Sequence, residues 1–499
     1  MKPLIVTRAL TVVFFVLLGV SALYSAPNPQ KPDESNGSDI QAAVAEDSLQ
    51  SEKEQLGKDL FFDTSLSNPA GMSCSTCHDP TVSFTYPESE TNEKFGPVPG
   101  AIPDRSGFRI PPSISYAYLL PQGPPYFNTN VSSYVGGLFW DGRAANLQAQ
   151  ATMPFLNPNE MNDLVHNVGS PAMVVHNIHE APYAPLFREV YGETIFEDTT
   201  EAYKDMADAI TAYEKTPIFA PFSSKYDMWL QGKATLTADE LDGLRLVTGS
   251  WTGRRGGAPY YKIIDGKRVF RDALCSLCHG IPNDPKKGPD LWTNTCYANI
   301  GVPRNTNNPY YKLTDEVTDP AGYNPLGIDF VDLGLGDYLY PALGLPVGNI
   351  GPGSNGRGDY LQINGTFKAP SLRNVAKVPY PGFVRAYMHN GVFKSLKEVV
   401  HFYNTRNLTT VPGEVIDFTR PDPYAGLLGT PLWPEPEYPS PVTLQNPTGL
   451  PGDNHFTPPG SIVANVGGES SSPAQVGNLG LTDDEENHIV EFLETLSDQ

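Results

Sequence analysis

Apolar residues recur at helical spacing in short, capped blocks, and between the blocks the chain loses its period. Ser51-x-x-Glu54 has the form of a capping box and predicts a helix opening there and running through SEKEQLGKDLFFD. Residues 141–151 read as a second helix, stopped by Pro154. At that spacing Ala144, Leu147, Gln150 and Ala151 share one face, which turns Gln150 inward and Gln148 away. Residues 202–215 and 237–246 are further helical stretches. Ser395-x-x-Glu398 caps another, on which Leu396, Val399, Val400 and Tyr403 lie together and His401 lies opposite. Thr482-x-x-Glu485 opens a last helix with Ile489, Phe492, Leu493 and Leu496 in one stripe. No strand-rich segment stands out. Residues 79–138, 281–360 and 411–475 are rich in Pro, Gly and Ser, with runs such as GNIGPGSNGRG, and read as loops. The fold class expected is mainly α, with long irregular loop insertions.

Composition sharpens this picture. A chain of 499 residues holds two or more domains with full cores. Its 49 prolines and 46 glycines fit long connections, and 11% aromatic residues fit packed cores. A net charge of −22 argues against nucleic acid and favours basic partners. At the N-terminus, Lys2 and Arg8 precede an apolar run from Ala9 to Leu23, and Val20-Ser21-Ala22 offers a small-residue cleavage site. Residues 1–22 are therefore expected to be a signal peptide, and the protein to be exported, periplasmic or beyond. An uncleaved anchor is the alternative, and the short apolar run speaks against it. Residues 23–50, centred on the polar stretch 26–45, are expected to form a flexible linker.

The candidate chemistry lies in the cysteines. Four of the five fall in two copies of one motif, Cys74-Ser75-Thr76-Cys77-His78 and Cys275-Ser276-Leu277-Cys278-His279. Cys-x-x-Cys-His is the attachment signature of a c-type haem: two thiols form thioethers with one porphyrin, and the histidine lies under the iron. A zinc site would place its two Cys-x-x-Cys pairs ~15–20 residues apart, and these are far more remote. A redox dithiol has no need of the histidine, and disulfides of such short span would stabilise little. Two covalently bound c-type haems are expected. Cys296 is left over, with no assigned role.

Several strings then resemble one family, the bacterial dihaem cytochrome c peroxidases and their MauG-type relatives. They are LGKDLFFDTSLSNPAGMSCSTCHDP, FWDGRAANLQAQATMPFLNPNEM, FKAPSLRNVA, YMHNGVFKSLKEVVHFYN and LTDDEENHIVEFLETL, in family order around both motifs. The resemblance covers most of residues 51–499 and implies two c-type cytochrome domains. The N-terminal one, 51–235, would carry the peroxidatic haem, and the C-terminal one, 236–499, the electron-transfer haem. At the first haem it implies His78 as proximal iron ligand, with Gln150 and Glu160 matching the family's catalytic Gln and Glu. Trp140 matches the tryptophan between the haems. At the second haem it implies His279 as proximal ligand and, on the far side, Tyr403 in the MauG manner, with Met388 the rival.

Two departures from the family bear on function. Residues 79–165 contain no histidine to close the first haem, so that haem is expected to be open without reductive activation; His166, His176 and His179 come later. The family holds calcium through an Arg-Asn-x-Pro pattern, where this chain has Arg109-Ile110-Pro111-Pro112, so calcium is doubtful. Three functions are compatible with these features. One is a peroxidase reducing hydrogen peroxide with electrons from a small redox protein such as a cytochrome c. Another is a MauG-type oxidase modifying Trp or Tyr of a partner protein. The third is a dihaem electron carrier, against which Gln150 and Glu160 argue.

Overall fold

The computed structural model describes residues 35–129, 133–249, 259–264, 266–280, 290–342, 363–406, 477 and 479–499, with short pieces at 409–410, 430–431, 433–434 and 436–438. The expected signal peptide and most of the 411–475 insertion lie outside the described residues, as do 281–289 and 343–360 of the other insertion. The chain divides into a unit 1–48, of which only helical backbone from Ser35 onward is described, and a unit 49–499. Both cysteine motifs and the apolar cores belong to the second unit.

Helix α1 spans Ser35–Phe62. It begins before Ser51, which sits inside it and caps nothing, so residues 35–50 are helical where a linker is expected. The cause is local: no proline lies between Pro32 and the helix end at Phe62, and Ala42, Ala43 and Ala45 are strong helix formers. The second expected helix is shorter than its pattern. Helix α2 runs only over Leu147–Thr152, with Asn146 as N-cap accepting from the Ala149 N–H at 2.8 Å. Upstream, Gly142 takes φ +77° and the Asp141 carboxylate is held by Arg109 and Arg143, so residues 141–146 cannot join the helix. Ala144 is buried but lies ahead of the helix, while Leu147 and Ala151 pack in the core as expected.

The last three predicted helices keep their starts, whereas the one expected over 202–215 opens three residues earlier, at Thr199. Asp198 caps α3 (Thr199–Glu214), and Thr237 with Glu240 forms the box opening α4 (Ala238–Thr248). Ser395 caps α5 (Leu396–Thr405) through the Glu398 N–H, but the Glu398 carboxylate takes the Lys394 N–H, so the box is not reciprocal. Thr482 and Glu485 close the box of α6 (Asp483–Glu494), and its stripe of Ile489, Phe492, Leu493 and Leu496 is buried. Strands are confined to short antiparallel pairs, among them β1 (Tyr126–Asn128) with β2 (Ser133–Val135), β3 (Tyr261–Ile264) with β4 (Lys267–Phe270), and β5 (Tyr297–Ala298) with β6 (Phe367–Lys368). The fold is mainly α, as expected.

The two larger apolar cores divide near residue 220, and a small third cluster joins Tyr297, Leu335, Leu339 and Ile363. The first joins Leu56, Leu60 and Phe61 of α1 to Met206, Ile210 and Phe219. The second joins Tyr226, Leu244 and Val247 to Val400, Ile489 and Phe492. One packing device recurs in both. A Cβ on Gly57 would stand 1.9 Å from the Ala209 carbonyl oxygen of α3 and 2.9 Å from Tyr213 Cβ. A Cβ on Gly243 would stand 1.9 Å from the His488 carbonyl oxygen of α6 and 2.8 Å from Phe492 Cβ. In each half, a helix ahead of a Cys-x-x-Cys-His motif crosses a later helix at a glycine, with an aromatic residue four places on. Between the halves, the buried Arg109 guanidinium grips Asp332 through Nε and Nη2 at 2.6 and 2.7 Å and Asp141 through Nη1 at 2.5 Å.

Candidate functional site

Each motif folds as a single helical turn, Cys74–Cys77 and Ser276–His279. Ser73 opens the first, its N–H donating to Thr76 Oγ1 at 2.9 Å. His78 and His279 each donate their backbone N–H to the first cysteine's carbonyl at 2.9 Å, which sets the ring on the side of the paired thiols. The His78 Nδ1 lies 3.0 Å from the Phe84 carbonyl, and the His279 Nδ1 lies 3.0 Å from the Pro370 carbonyl. A carbonyl only accepts, so both rings carry their proton on Nδ1 and keep Nε2 as a lone-pair donor. Burial holds both imidazoles neutral: His78 is lowered, and His279 is lowered to about 4. Local structure fixes the acceptors. A closed turn, Asp79 N–H to Thr85 O at 3.0 Å and Phe84 N–H to Asp79 O at 2.7 Å, places the first. The β5–β6 pair and the Ala369 N–H to Cys296 O bond at 2.8 Å place the second.

The thiols sit in apolar surroundings that favour a neutral or covalently capped sulfur. Burial pushes Cys77 and Cys275 up to about 12 and raises Cys74 further. Cys296 is buried against Cys278; its thiol hydrogen bond lowers Cys278 and raises Cys296. Paired thiols on one turn and a neutral imidazole with Nε2 free are the donor set a c-type haem requires, so the residues fit that group at both motifs.

Around the first motif stand three acids or their partners. Glu160 lies in the loop after the Pro154–Leu156 turn, its backbone carbonyl accepting from Ala101 at 2.7 Å and its Oε1 accepting from Asn157 Nδ2 at 2.7 Å. It shares surroundings with Cys77, whose thiol it helps to raise. Burial raises Glu160 itself, opposed by the Arg143 guanidinium and the Asn157 amide. Arg143 is anchored by Asp141 at 3.0 Å and stacks 3.6 Å from the Phe139 ring centroid. Glu214, on α3, faces Cys74; it is buried, its Oε2 has no hydrogen-bond partner, and burial pushes it up to about 8. Gln150 is half-buried on α2 and makes no side-chain hydrogen bond among the described residues, so geometry does not tie it to Glu160. Gln148 points away, donating to the Lys204 carbonyl at 3.1 Å. His166, His176 and His179 are exposed.

Around the second motif, Tyr403 is half-buried, packs against the second core and lies near the Cys278 and Cys275 thiols. Burial and the neighbouring Cys278 and Cys275 raise its phenol. His401 turns away to Glu486, 2.9 Å off. Met388 lies elsewhere, lining a cavity with Thr85, Trp140 and Pro370. Thr85 follows the carbonyl that holds His78, and Pro370 holds His279, so this cavity lies between the two motifs. Trp140 is fixed there by its Nε1 donating to the Ile110 carbonyl at 2.9 Å and its carbonyl accepting from Lys368 at 2.9 Å. In the Arg109-Ile110-Pro111-Pro112 segment, Ile110 offers only that carbonyl and Arg109 is a cation itself.

Arg143, Glu214 and Arg385 were not picked out by the sequence. Arg143 stands in the same FWDGRA string as Trp140, and Glu214 continues the buried α3 stripe of Ala207 and Ile210 at helical spacing. Those two signals were readable. Arg385 has none, because what marks it is the absence of a carboxylate beside it among the described residues.

Comparison with known proteins identifies the family. A family model described as di-haem cytochrome c peroxidase matches residues 51–235. The chain is 34% identical to the methylamine utilization protein MauG of Paracoccus denitrificans (strain Pd 1222) over 369 residues, 74% of this chain and 77% of that protein. It is 33% identical to cytochrome c551 peroxidase of Nitrosomonas europaea over 201 residues, 39% of this chain and 48% of that one. The solved structure of the diheme peroxidase BthA from Burkholderia thailandensis E264 superposes with a TM-score of 0.61 at 26% identity, covering 89% of this chain and 86% of that one. The chain belongs to the superfamily of MauG and the dihaem cytochrome c peroxidases. It is accordingly a dihaem oxidoreductase of the peroxidase type.

Proposed function

We propose that the chain is an exported peroxidase that reduces hydrogen peroxide at a haem held covalently by Cys74 and Cys77 with His78 as axial ligand. Electrons enter from a small redox protein through a second haem on Cys275, Cys278 and His279. The haems supply the iron and the two electrons; with two protons, one peroxide becomes two waters. The chain's part is proton handling. Glu160, whose carboxyl is raised by burial, would hold a proton beside Cys77 and hand it to a peroxide oxygen as the O–O bond breaks. Gln150 would orient the peroxide, and Trp140, at the wall between the motifs, would relay electrons. In this reading Tyr403 would be the second protein ligand of the second haem, because it lies near Cys278 and Cys275 while Met388 lines the inter-motif cavity. The apolar segment after Lys2 and Arg8 supports export; among the described residues no helix is long and apolar enough to cross a membrane. Two haem domains are read here as 51–235 and 236–499, although Tyr226 and Trp229 pack in the second core, which favours a boundary nearer residue 220.

The observation that carries this reading is Glu160 in the surroundings of Cys77. Glu160→Gln should keep both haems and lose peroxide turnover by ~10²–10⁴-fold. Turnover within twofold of wild type at full haem content would remove Glu160 from the chemistry.

A second reading is a MauG-type oxidase acting on Trp or Tyr of a partner protein. The exposure of His166, His176 and His179, and Tyr403 at the second motif, favour it. Stoichiometric peroxide added to the all-ferric protein should then change the haem spectrum at once. A response only after one-electron reduction would return the protein to the conventional, activated peroxidases.

A further inference from the structure

The cavity between the two motifs, about 110 Å³, is lined by two arginines, Arg373 and Arg385. Their charges are treated differently. Arg373 is paired with Asp227, its Nη1 and Nη2 donating to the two carboxylate oxygens at 2.5 and 2.9 Å. Arg385 has no carboxylate among the described residues. Its Nη1 donates to the carbonyls of Asn374 at 2.7 Å and Lys377 at 3.1 Å, which fixes the guanidinium in place but does not neutralise it. Tyr387, its ring centroid 5.9 Å from Cζ, favours the protonated form, while burial opposes it more strongly. A guanidinium stays protonated in a protein, and a buried cation calls for an anion.

The edge left open says which anion. With Nη1 spent on carbonyls, Nε and Nη2 remain, and this side-on pair grips the two oxygens of a carboxylate in parallel. The cavity has room for such a group, and its wall combines Trp140, Met388 and prolines with the hydroxyls of Ser113, Ser115 and Ser371. A haem carries two propionates, and both histidine-holding carbonyls adjoin this cavity. We propose that Arg385 is a carboxylate-binding residue between the two motifs, its Nε–Nη2 edge holding a haem propionate. The proposal rests on the haems of the proposed function seating at the two motifs. A small free carboxylate from solution has the same chemistry and is separable by experiment.

The test uses the full-length holoprotein as wild type, Arg385→Lys and Arg385→Met. Haem content is measured by pyridine haemochrome, and the two reduction potentials by spectroelectrochemistry across neutral pH, first without carboxylate buffers and then with acetate. With a propionate on Arg385, the Met variant lowers the potential of one haem and shifts the pH dependence of that potential, because loss of the cation favours oxidised iron and a protonated propionate. The Lys variant keeps most of the wild-type potential, and acetate changes nothing. Potentials that agree without carboxylate, combined with an acetate-dependent shift in wild type that Arg385→Met abolishes, would assign the edge to a carboxylate from solution. Three proteins with two haems each, equal potentials and no response to acetate would overturn the proposal. Fewer than two haems in the wild type would overturn the haem reading itself, and this proposal with it.

Discussion

Glu214 keeps its proton where a glutamate ordinarily does not. Burial with no partner for Oε2 pushes it up to about 8, whereas an unfolded glutamate ionises near ~4.3. Its folded pKa is raised, so between those values unfolding releases a proton. Stability therefore falls as pH rises through that window, and the cost is complete above about pH 8. Asp163, fully buried with both oxygens unpaired and pushed up to about 7, acts in the same sense. Glu214→Gln keeps the shape and removes the ionisation, so its thermal midpoint should decline less than the wild type's between mildly acidic and mildly alkaline pH. An unchanged decline would show that Glu214 is ionised or solvated in the folded protein. At this scale the sequence was most legible where chemistry needs a fixed spacing. Both histidines, four cysteines, Glu160 and Tyr403 stand in strings that announce them. Glu214 and Arg385 owe their character to what surrounds them, and surroundings come from distant parts of the chain.

Helix boundaries were legible wherever a cap stands alone. Ser395 and Thr482 cap as their spacing predicts, because each follows a stretch that is not helical. Ser51-x-x-Glu54 has the same letters but lies in a helix already under way, where the box has no free N–H groups to satisfy. The 141–151 pattern failed at its front because Asp141 serves two arginines, a demand that outweighs a helical turn. The glycine crossings were not legible, since a glycine in a helix reads as a weakness until its neighbour is known. Gly243→Ala would drive a methyl into the His488 carbonyl and should destabilise the protein by ~1–3 kcal/mol. Denaturant titration measures this; a variant as stable as wild type would mean the two helices separate without cost.

Across the whole molecule, the sequence implied two haem-bearing halves but could not demonstrate a repeat, because little beyond the motifs is shared letter for letter. The repeat is one of geometry. Two cores meet near residue 220, and each half crosses its helices at a glycine and ties its histidine to a backbone carbonyl. The stretches read as loops are not wholly irregular: Leu335–Ala342 and Ser89–Lys94 are helical, and Tyr126–Asn128 pairs with Ser133–Val135. Glu437, from the 411–475 insertion, reaches His389 at 3.3 Å and Asn390 at 3.0 Å beside Met388. What joins the halves most firmly is the Arg109 bridge to Asp141 and Asp332. Pulling them apart would strand a buried charge at a cost of ~3–5 kcal/mol. Electron tunnelling decays exponentially with separation, so even small breathing of the two halves would scatter the transfer rate between cofactors. With haems seated at both motifs, a salt bridge that resists breathing would act as a ruler, setting a tunnelling distance as much as it stabilises a fold.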